Sequence, residues 1–363
     1  MDYMKRALKL AQKGRGFVNP NPLVGAVIVK NGKVIGEGWH ECFGKAHAEI
    51  NAFSNAVETV EGGELYVTLE PCSHYGKTPP CAKTIVEKQI KKVYIGMKDP
   101  NPLVSGKGIE ILKKAGIEVI CGIYEEECRK INEIFIKYIT TKSPFVVMKT
   151  AMTLDGKIAS YIGDSKWISC EKSREIVHKM RSSCMGIMVG IQTVLKDNPF
   201  LTSRIENAHN PIPIIIDSTL KIPENAHVLE GKHCIIATTD KADEQKRKRL
   251  ELKGVEIIQL REKNGHVDLK LLLNKLGEMG IDSILLEGGG ELNFSMLENQ
   301  LIDKIVFFLA PKLLGGRDAK TPLEGTGFSK VKESICLKDI EIKKIERDIF
   351  VTAYPIYEKK GGI

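Results

Sequence analysis

Three side chains that commonly bind metal ions occur near a carboxylate in the first part of the chain. His47 and Glu49 are separated by one residue, and Cys72 and Cys81 follow in a polar, proline-rich stretch. Zinc in catalytic sites takes three protein ligands and keeps its fourth tetrahedral position for water. One imidazole and two thiolates satisfy that count and leave Glu49 outside the coordination sphere.

These residues predict hydrolytic deamination of an amino-substituted heterocycle. Zinc would lower the pKa of its water to about 7 and so supply hydroxide at neutral pH. Glu49 can then take protons from that water and hand them to a ring nitrogen and to the departing amine. His-x-Glu followed by Pro-Cys and a second cysteine is the signature of zinc deaminases. The alternatives are a closed zinc site with His74 as fourth ligand, or three ordinary buried side chains.

The pattern of apolar residues places these side chains at the ends of regular elements. We expect a helix from about residue 46 to 57, a strand over 64–69, a polar loop to residue 80 and a helix that begins at Cys81. His47 and Cys81 then lie at helix N-termini, where the helix dipole favours a bound anion such as a thiolate. The predicted elements therefore lower the cost of deprotonating the metal ligands.

The length of the chain, 363 residues, is roughly twice that of a common domain. Strands alternate with helices in the first part, and a second alternating series begins after a polar segment that ends at Pro144. We therefore divide the chain into domains 1–143 and 144–363. The alternation predicts two α/β domains whose sheets are covered on both faces. The strands expected in the second domain are 145–151, 185–189, 212–216, 233–237, 255–259, 283–286 and 304–309.

Composition and charge exclude several classes of protein. The chain is 42% hydrophobic and 28% charged, which excludes a disordered protein. No stretch approaches the about 18 apolar residues of a membrane span, and the first residues lack the apolar run of a signal peptide. We expect a cytoplasmic protein without a membrane partner. The net charge is +8. Residues 1–143 contribute +5 (21 Lys+Arg, 16 Asp+Glu) and the remaining residues +3 (33 Lys+Arg, 30 Asp+Glu). This even distribution argues against nucleic acid as a partner, because nucleic-acid-binding proteins usually concentrate their positive charge.

Residues 1–143 resemble the zinc-dependent cytidine deaminase superfamily, with a longer spacing between the two cysteines. Eight residues separate them here, whereas the nucleoside enzymes usually have two. This longer form, together with segments 19–25 and 99–102, is similar to the deaminase half of the bifunctional riboflavin-biosynthesis deaminase/reductases. The resemblance implies a three-layer α/β/α fold and a pyrimidine ribosyl phosphate as substrate. The substrate contacts that it implies, including two in the longer cysteine loop, are Asn21, His40, His74, Lys77, Asp99 and Asn101.

The second domain carries a weaker signal, a glycine loop. Gly288-Gly289-Gly290 follows a buried strand and precedes a helix, which lets backbone N–H groups approach a phosphate. By itself the pattern fits a tight turn equally well. Arg181 and Arg204 carry planar guanidinium groups suited to phosphate, and Glu287 stands at the carboxyl end of a strand, where α/β sheets bind ligands. Lys149 lies inside an apolar strand and needs a partner or an open cleft, so it is a candidate substrate or catalytic group.

Segments 149–159, 167–169 and 189–199 resemble the reductase half of the same family, whose fold is like that of dihydrofolate reductase. The resemblance implies that NADPH reduces the ribosylamino group to a ribitylamino chain through its imine form. The implied NADPH contacts are Ala151, Trp167, Thr193, Asp197 and the loop residues Gly289, Gly290, Glu291, Leu292, Asn293, Phe294 and Ser295. The implied substrate contacts are Ser165, Arg181, Leu201, Arg204 and Glu287.

Two other functions are also compatible with the sequence when the family resemblance is set aside. One is a nucleic-acid or free-base deaminase with an unrelated C-terminal domain, and the cysteine spacing and the segments of the second domain count against it. The other is a non-catalytic, zinc-stabilised binding protein, which a Glu49 far from the metal ligands would favour. The family resemblance implies a homo-oligomer, either a dimer or a tetramer.

Overall fold

Alternating apolar side chains build a five-stranded sheet in the first of two structural units, Met1–Lys142 and Ser143–Ile363. The computed structural model describes residues 2–73, 79–102, 104–231 and 233–357. In chain order, the helices and strands of the first unit are α1 (Tyr3–Ala11), β1 (Gly25–Lys30), β2 (Lys33–Trp39), α2 (Ala48–Ser54), β3 (Glu64–Leu69), α3 (Cys81–Glu87), β4 (Lys92–Met97), α4 (Lys107–Lys114), β5 (Glu118–Cys121), α5 (Glu125–Ile131) and α6 (Glu133–Thr141).

The first sheet has the strand order β2-β1-β3-β4-β5, with helices on both of its faces. On β1, Ala26 and Ile28 join the core formed with α2, α3 and α4, whereas Val27 and Val29 pack with α1 on the opposite face. The predicted three-layer α/β/α arrangement is confirmed. Because β3, β4 and β5 are parallel, the segments that follow β3 and β4 leave the same edge of the sheet.

The polar segment that follows β5 forms two helices, α5 and α6, which meet at Asn132. This side chain is 2% exposed, accepts a hydrogen bond from the Leu23 N–H (2.8 Å) and donates one to the Leu23 carbonyl (3.0 Å). A side-chain amide held by a distant backbone segment competes with helical geometry, and Asn132 leaves the helical region at φ −108°. The break therefore depends on a tertiary contact that helical periodicity does not reveal.

The second unit contains one nine-stranded sheet within the described ranges, with the order β10-β9-β8-β7-β13-β6-β14-β16-β15. Its elements are β6 (Phe145–Thr153), α7 (Glu171–Ser183), β7 (Gly186–Gly190), α8 (Ile191–Asp197), β8 (Ile212–Ile216), β9 (Ile235–Thr238), α9 (Glu244–Leu252), β10 (Glu256–Gln259), β11 (Glu262–Lys263), β12 (His266–Val267), α10 (Leu269–Glu278), β13 (Ser283–Leu286), α11 (Gly290–Glu298), β14 (Lys304–Ala310), β15 (Cys336–Ile345) and β16 (Asp348–Ile356). Separate apolar cores cover the two faces: Met188 and Ile214 belong to one, Ile187 and Ile215 to the other.

The last two strands, β15 and β16, form an antiparallel hairpin that was not predicted from the sequence. β16 pairs with β14, and β15 forms the edge of the sheet. Most side chains of β15 are exposed, and its register shifts between Lys338 and Glu341, so it lacks a buried apolar face. None of the helices in the described part of the chain is long and apolar enough to cross a membrane.

Candidate active sites

The three predicted metal ligands come together at one edge of the first sheet. His47 is the N-cap of α2, Cys72 lies in the loop after β3, and Cys81 begins α3. Their ligand atoms all lie within 4.8 Å of one another, and His47 Nδ1 is 3.5 Å from Cys72 Sγ and 3.3 Å from Cys81 Sγ. The structure shows no other such group of histidine, cysteine or acidic residues in its described ranges.

The two cysteines of this group have opposite pKa shifts. Hydrogen bonding from the Cys81 side chain, and also from His47, lowers the pKa of the Cys72 thiol to about 4, although burial opposes the shift. The Cys81 backbone N–H also donates to Cys72 Sγ (3.2 Å). Hydrogen bonding to Cys72, followed by burial, raises the pKa of the Cys81 thiol. One imidazole and two sulfurs are a donor set that fits zinc, which displaces a remaining thiol proton on binding.

Glu49 lies in the first turn of α2 and is 3% exposed. Its carboxyl is within hydrogen-bonding reach of the Cys81 side chain. Burial, together with the negative charge on Cys72, raises the pKa of Glu49 to about 7. A carboxyl that titrates near neutrality both accepts and releases protons at that pH. Its position beside the ligands argues against a purely structural zinc site.

Two predicted substrate contacts, Asn21 and His40, are hydrogen-bonded to each other beside the ligands. His40 Nδ1 donates to the Ala46 carbonyl (3.0 Å), so its Nε2 accepts from Asn21 Nδ2 (3.1 Å). Burial lowers the pKa of His40, which favours the neutral ring. The His40 ring centroid is 5.6 Å from that of His47. The predicted contacts His74 and Lys77 lie outside the described residues.

The other two predicted contacts, Asp99 and Asn101, share the loop after β4. The Asn101 N–H donates to Asp99 Oδ1 (2.8 Å), and the Asp99 N–H donates to Glu70 Oε2 (3.2 Å). Glu70, which is 3% exposed, was not predicted from the sequence. The available signal was an acidic residue at the end of a buried strand and directly before Pro71-Cys72. A buried carboxylate at such a position needs partners, and the loop supplies them.

In the second unit, Lys149, Arg181 and Glu287 form a partly buried cluster. Lys149 lies on β6 and Glu287 follows β13, its parallel neighbour. Lys149 Nζ is 3.1 Å from Glu287 Oε2, and Arg181 donates from Nε to Oε1 (2.8 Å) and from Nη2 to Oε2 (2.9 Å). Burial raises the pKa of Glu287, but the charges of Lys149 and Arg181 outweigh it and hold the pKa at about 2.

Leu201 and Arg204 lie on a segment next to this cluster. Arg181 Nη1 donates to the Thr202 carbonyl (3.1 Å), and Leu201 and Arg204 both adopt positive φ angles, 57° and 53°. The Leu201 side chain is buried in a core cluster, so only its backbone is available to a ligand. His178, one helical turn before Arg181, was not predicted; burial lowers its pKa, as do the charges of Arg181 and Arg204. The sequence signal for His178 was its spacing of three residues from Arg181, which places both side chains on the same face of α7.

The predicted NADPH contacts fall into three groups. The glycine loop follows β13; Gly289 is the N-cap of α11, and a Cβ built there would meet nothing within 4 Å, so the backbone is open to a phosphate. Thr193 and Asp197 lie one turn apart on α8, which follows β7, a strand adjacent to β13. Trp167 is 59% exposed, and Arg174 lies 4.7 Å from its ring centroid. Together, the open backbone at Gly289, the side chains on α8 and the exposed Trp167 are suited to binding a dinucleotide.

Not all of the predicted cofactor residues offer a side chain. Asn293 and Phe294 are buried on α11, and Asn293 Nδ2 donates to the Pro322 carbonyl (3.0 Å). These two side chains hold the helix in place. Glu291 is exposed, and Leu292, Ser295, Ala151 and the substrate candidate Ser165 are partly exposed.

Comparisons with known proteins match both halves of the chain. Residues 1–97 match the family model of the cytidine and deoxycytidylate deaminase zinc-binding region, and residues 144–351 match that of the RibD C-terminal domain. The riboflavin biosynthesis protein RibD of Actinobacillus pleuropneumoniae is 48% identical over 353 residues, 97% of this chain and 94% of that protein. RibD of Bacillus amyloliquefaciens is 42% identical over 362 residues, 99% of this chain and 97% of that protein.

Solved structures of similar proteins cover the chain from end to end. A diaminohydroxyphosphoribosylaminopyrimidine deaminase/5-amino-6-(5-phosphoribosylamino)uracil reductase from Thermotoga maritima is 39% identical, with a TM-score of 0.82 and 98% of each chain covered. RibD of Acinetobacter baumannii (form 1) is 36% identical, with a TM-score of 0.87 and 98% of each chain covered. The predicted folds of both halves are confirmed, and an unrelated C-terminal domain is excluded.

Proposed function

The chain belongs to the family of the riboflavin biosynthesis protein RibD, and on this premise we infer which of its residues carry out the two reactions. The protein is a deaminase and a reductase of riboflavin biosynthesis that uses zinc and NADPH. It hydrolyses an amino group from a diaminopyrimidine ribosyl phosphate and reduces the ribosyl group to ribityl. We assign the first reaction to residues 1–143 and the second to 144–363. The two structural units and the two family models support this division.

For deamination, we assign His47, Cys72 and Cys81 as the zinc ligands. Bound there, zinc supplies the nucleophile by lowering the pKa of water to about 7. Glu49 accepts the first proton of the water on its carboxylate and gives it to the ring nitrogen, and it then takes the proton of the hydroxyl group formed on the ring carbon and gives it to the leaving amine. The observation that carries this proposal is the buried Glu49 beside three converging ligand atoms.

The remaining residues of the deaminase site bind and orient the substrate in this proposal. Neutral His40 uses its two ring nitrogens on the Ala46 carbonyl and the Asn21 amide, so it fixes the Asn21 side chain as a hydrogen-bonding group for the pyrimidine. Asp99 and Asn101 present further hydrogen-bonding groups to the pyrimidine from the loop after β4. His74 and Lys77 are assigned to the 5′-phosphate because they supply hydrogen-bond donors.

For reduction, Lys149, Arg181 and Arg204 provide three cations against the single carboxylate of Glu287. The surplus positive charge suits the substrate phosphate, and Glu287 orients Lys149 and Arg181 through the hydrogen bonds described above. NADPH supplies the hydride. The open backbone at Gly289 and the side chains of Thr193, Asp197 and Trp167 bind and orient the dinucleotide, with Ser165 on the substrate side.

Removal of zinc should separate the two activities. We expect about one zinc per chain, because the described residues offer one set of three ligands. A chelated preparation should lose ammonia release and keep NADPH oxidation on the deaminated substrate. Metal content and both rates are measured before and after zinc is restored. A zinc-free preparation that still releases ammonia would contradict the assignment.

The low pKa of Glu287 predicts a pH-dependent contribution to stability. Its pKa lies near 2 in the folded protein against a reference of 4.5, so its stabilising contribution is complete above pH 4.5 and is lost as the pH falls towards 2. Calorimetry of the wild type and of Glu287→Gln should show a difference in stability that shrinks over this interval. The exposed Glu298→Gln is the matched control. A difference that grows on acidification would refute the prediction.

We propose a homo-oligomer, a dimer or a tetramer, on the exposed hairpin of β15 and β16. Ile340 and Ile342 are 56% and 68% exposed on the edge strand, and edge strands readily pair with a second chain. Ile342→Lys should dissociate the oligomer in sedimentation experiments, whereas Val331→Lys, at an exposed site outside the hairpin, should not. A wild-type chain that sediments as a monomer at micromolar concentration would refute the proposal.

We also propose that the protein acts in the cytoplasm. Cys72 and Cys81 are free thiols, and they bind zinc only while they stay reduced. A reducing compartment maintains this state. Recovery of the deaminase activity in a cytoplasmic fraction tests the proposal, and its recovery only elsewhere would refute it.

A further inference from the structure

Glu70 is a buried carboxyl two residues before the ligand Cys72, at the carboxyl end of β3. It belongs neither to the metal ligands nor to the predicted substrate contacts. Its two oxygens accept four backbone N–H groups: those of Asp99 (3.2 Å) and Gly106 (3.0 Å) on Oε2, and those of Gly108 (3.0 Å) and Ile109 (3.3 Å) on Oε1. A carboxylate with both oxygens satisfied in this way is held in one position.

The first of these oxygens closes the loop between β4 and α4. Asp99 and Gly106 are the two ends of that loop, and both donate to Oε2. Inside the loop, the Asn101 N–H donates to Asp99 Oδ1, and the Asn101 carbonyl accepts from the N–H groups of Val104 and Ser105 (2.9 Å each). The backbone of Asp99 is therefore bonded directly to Glu70, and that of Asn101 is connected to it through the side chain of Asp99.

The second oxygen binds the first turn of α4 and holds it against the metal-ligand segment. A Cβ built on Gly108 would lie 2.0 Å from the carbonyl oxygen of Pro71, so only glycine permits this approach. Pro71 directly precedes Cys72. Glu70 thus joins a segment that carries a zinc ligand to a loop that carries two substrate contacts.

The pairing of the strands alone does not fix the position of this loop relative to the metal-ligand segment. β3 and β4 pair in parallel as far as Leu69 and Met97, and the Glu70 N–H donates to the Met97 carbonyl (2.9 Å). Beyond that point the two segments diverge, one to Cys72 and the other to Asn101. The side chain of Glu70 bridges them where the ladder of backbone hydrogen bonds ends.

We propose that Glu70 is a positioning residue of the deaminase, which sets the loop of Asp99 and Asn101 relative to the metal ligands. Its effect is on substrate affinity, exerted through the loop, and zinc binding does not depend on it. The inference rests on the proposed substrate contacts of Asp99 and Asn101.

The test uses the full-length chain with Glu70→Gln, Asn101→Ala and the double variant. Glutamine keeps the length of the side chain but turns one acceptor oxygen into an NH2 group that faces N–H donors. We expect Glu70→Gln to raise the deaminase KM by about tenfold or more, with kcat changed by less than about threefold. Zinc content should stay at that of the wild type, and NADPH-dependent reduction should be unchanged.

Three comparisons complete the design. The double variant should raise KM by less than the product of the two single effects, because both act through one loop. Glu70→Asp keeps two oxygens on a shorter side chain, so its KM should lie between those of the wild type and Glu70→Gln. Glu87→Gln, at an exposed position at the end of α3, is the matched control and should have wild-type constants.

If Glu70→Gln also loses reduction and is therefore misfolded, Gly108→Ala takes its place. That variant keeps the carboxylate but pushes α4 away from Pro71, and it should raise KM in the same way. Wild-type KM values would overturn the proposal, as would multiplicative effects in the double variant, or zinc loss with a parallel fall in kcat. If Asn101→Ala and Asp99→Asn leave KM unchanged, the proposed substrate contacts fail and the proposal fails with them. If the Asp99 and Asn101 variants raise KM but the Glu70 and Gly108 variants leave KM unchanged, the positioning role of Glu70 fails and the proposed substrate contacts stand.

Discussion

Glu49→Gln should lower the rate of deamination by about 10²–10⁴-fold, the contribution typical of general acid–base catalysis. The amide has nearly the same shape as the carboxyl but cannot accept and return a proton. Since Glu49 is 3% exposed beside the ligands, solvent is poorly placed to replace it. The measurement is ammonia release from the diaminopyrimidine ribosyl phosphate.

The same variant carries an internal control, because the chain has a second activity. NADPH oxidation on deaminated substrate and zinc content should both match the wild type. Glu58→Gln, at an exposed position beyond α2, should retain full ammonia release. A variant that keeps its ammonia release would remove Glu49 from the mechanism, and one that loses its zinc would make the residue structural.

Glu287→Gln should reduce kcat/KM for the reduction by about 100-fold or more and destabilise the second unit by about 3–5 kcal/mol. The change leaves Lys149 and Arg181, whose side chains are only 12% and 14% exposed, without their counter-charge. The amide also replaces one acceptor oxygen by an NH2 group, so part of the hydrogen bonds that orient these side chains is lost. The rate of NADPH oxidation and the free energy of unfolding measure the two effects.

A second substitution distinguishes charge balance from packing. Adding Lys149→Met to Glu287→Gln removes one of the unpaired cations, so part of the lost stability should return while reduction stays impaired. Ammonia release should be normal in both variants. If Glu287→Gln alone retains wild-type stability and turnover, the cluster has no role in the reductase.

Much of the deaminase site follows from local sequence. The spacing of His47, Glu49, Cys72 and Cys81 defines a donor set and a proton carrier whatever the surrounding fold, because zinc coordination depends on residue type and count. Alternating apolar residues also determined most strands and the α/β class of both units, since a buried strand or helix face must repeat with the period of its backbone.

Other features were decided only by tertiary structure. Lys149, Arg181 and Glu287 come from a strand, a helix and a loop more than 30 residues apart, and only the pairing of β6 with β13 brings the first and last together. Three other features also join residues that are remote in sequence. They are the four hydrogen bonds of Glu70, the helix break at Asn132 and the pairing of β16 with β14. Periodicity reports which face of an element is buried, but it does not identify the partner that a buried polar group will find, and these partners are set by the folded chain.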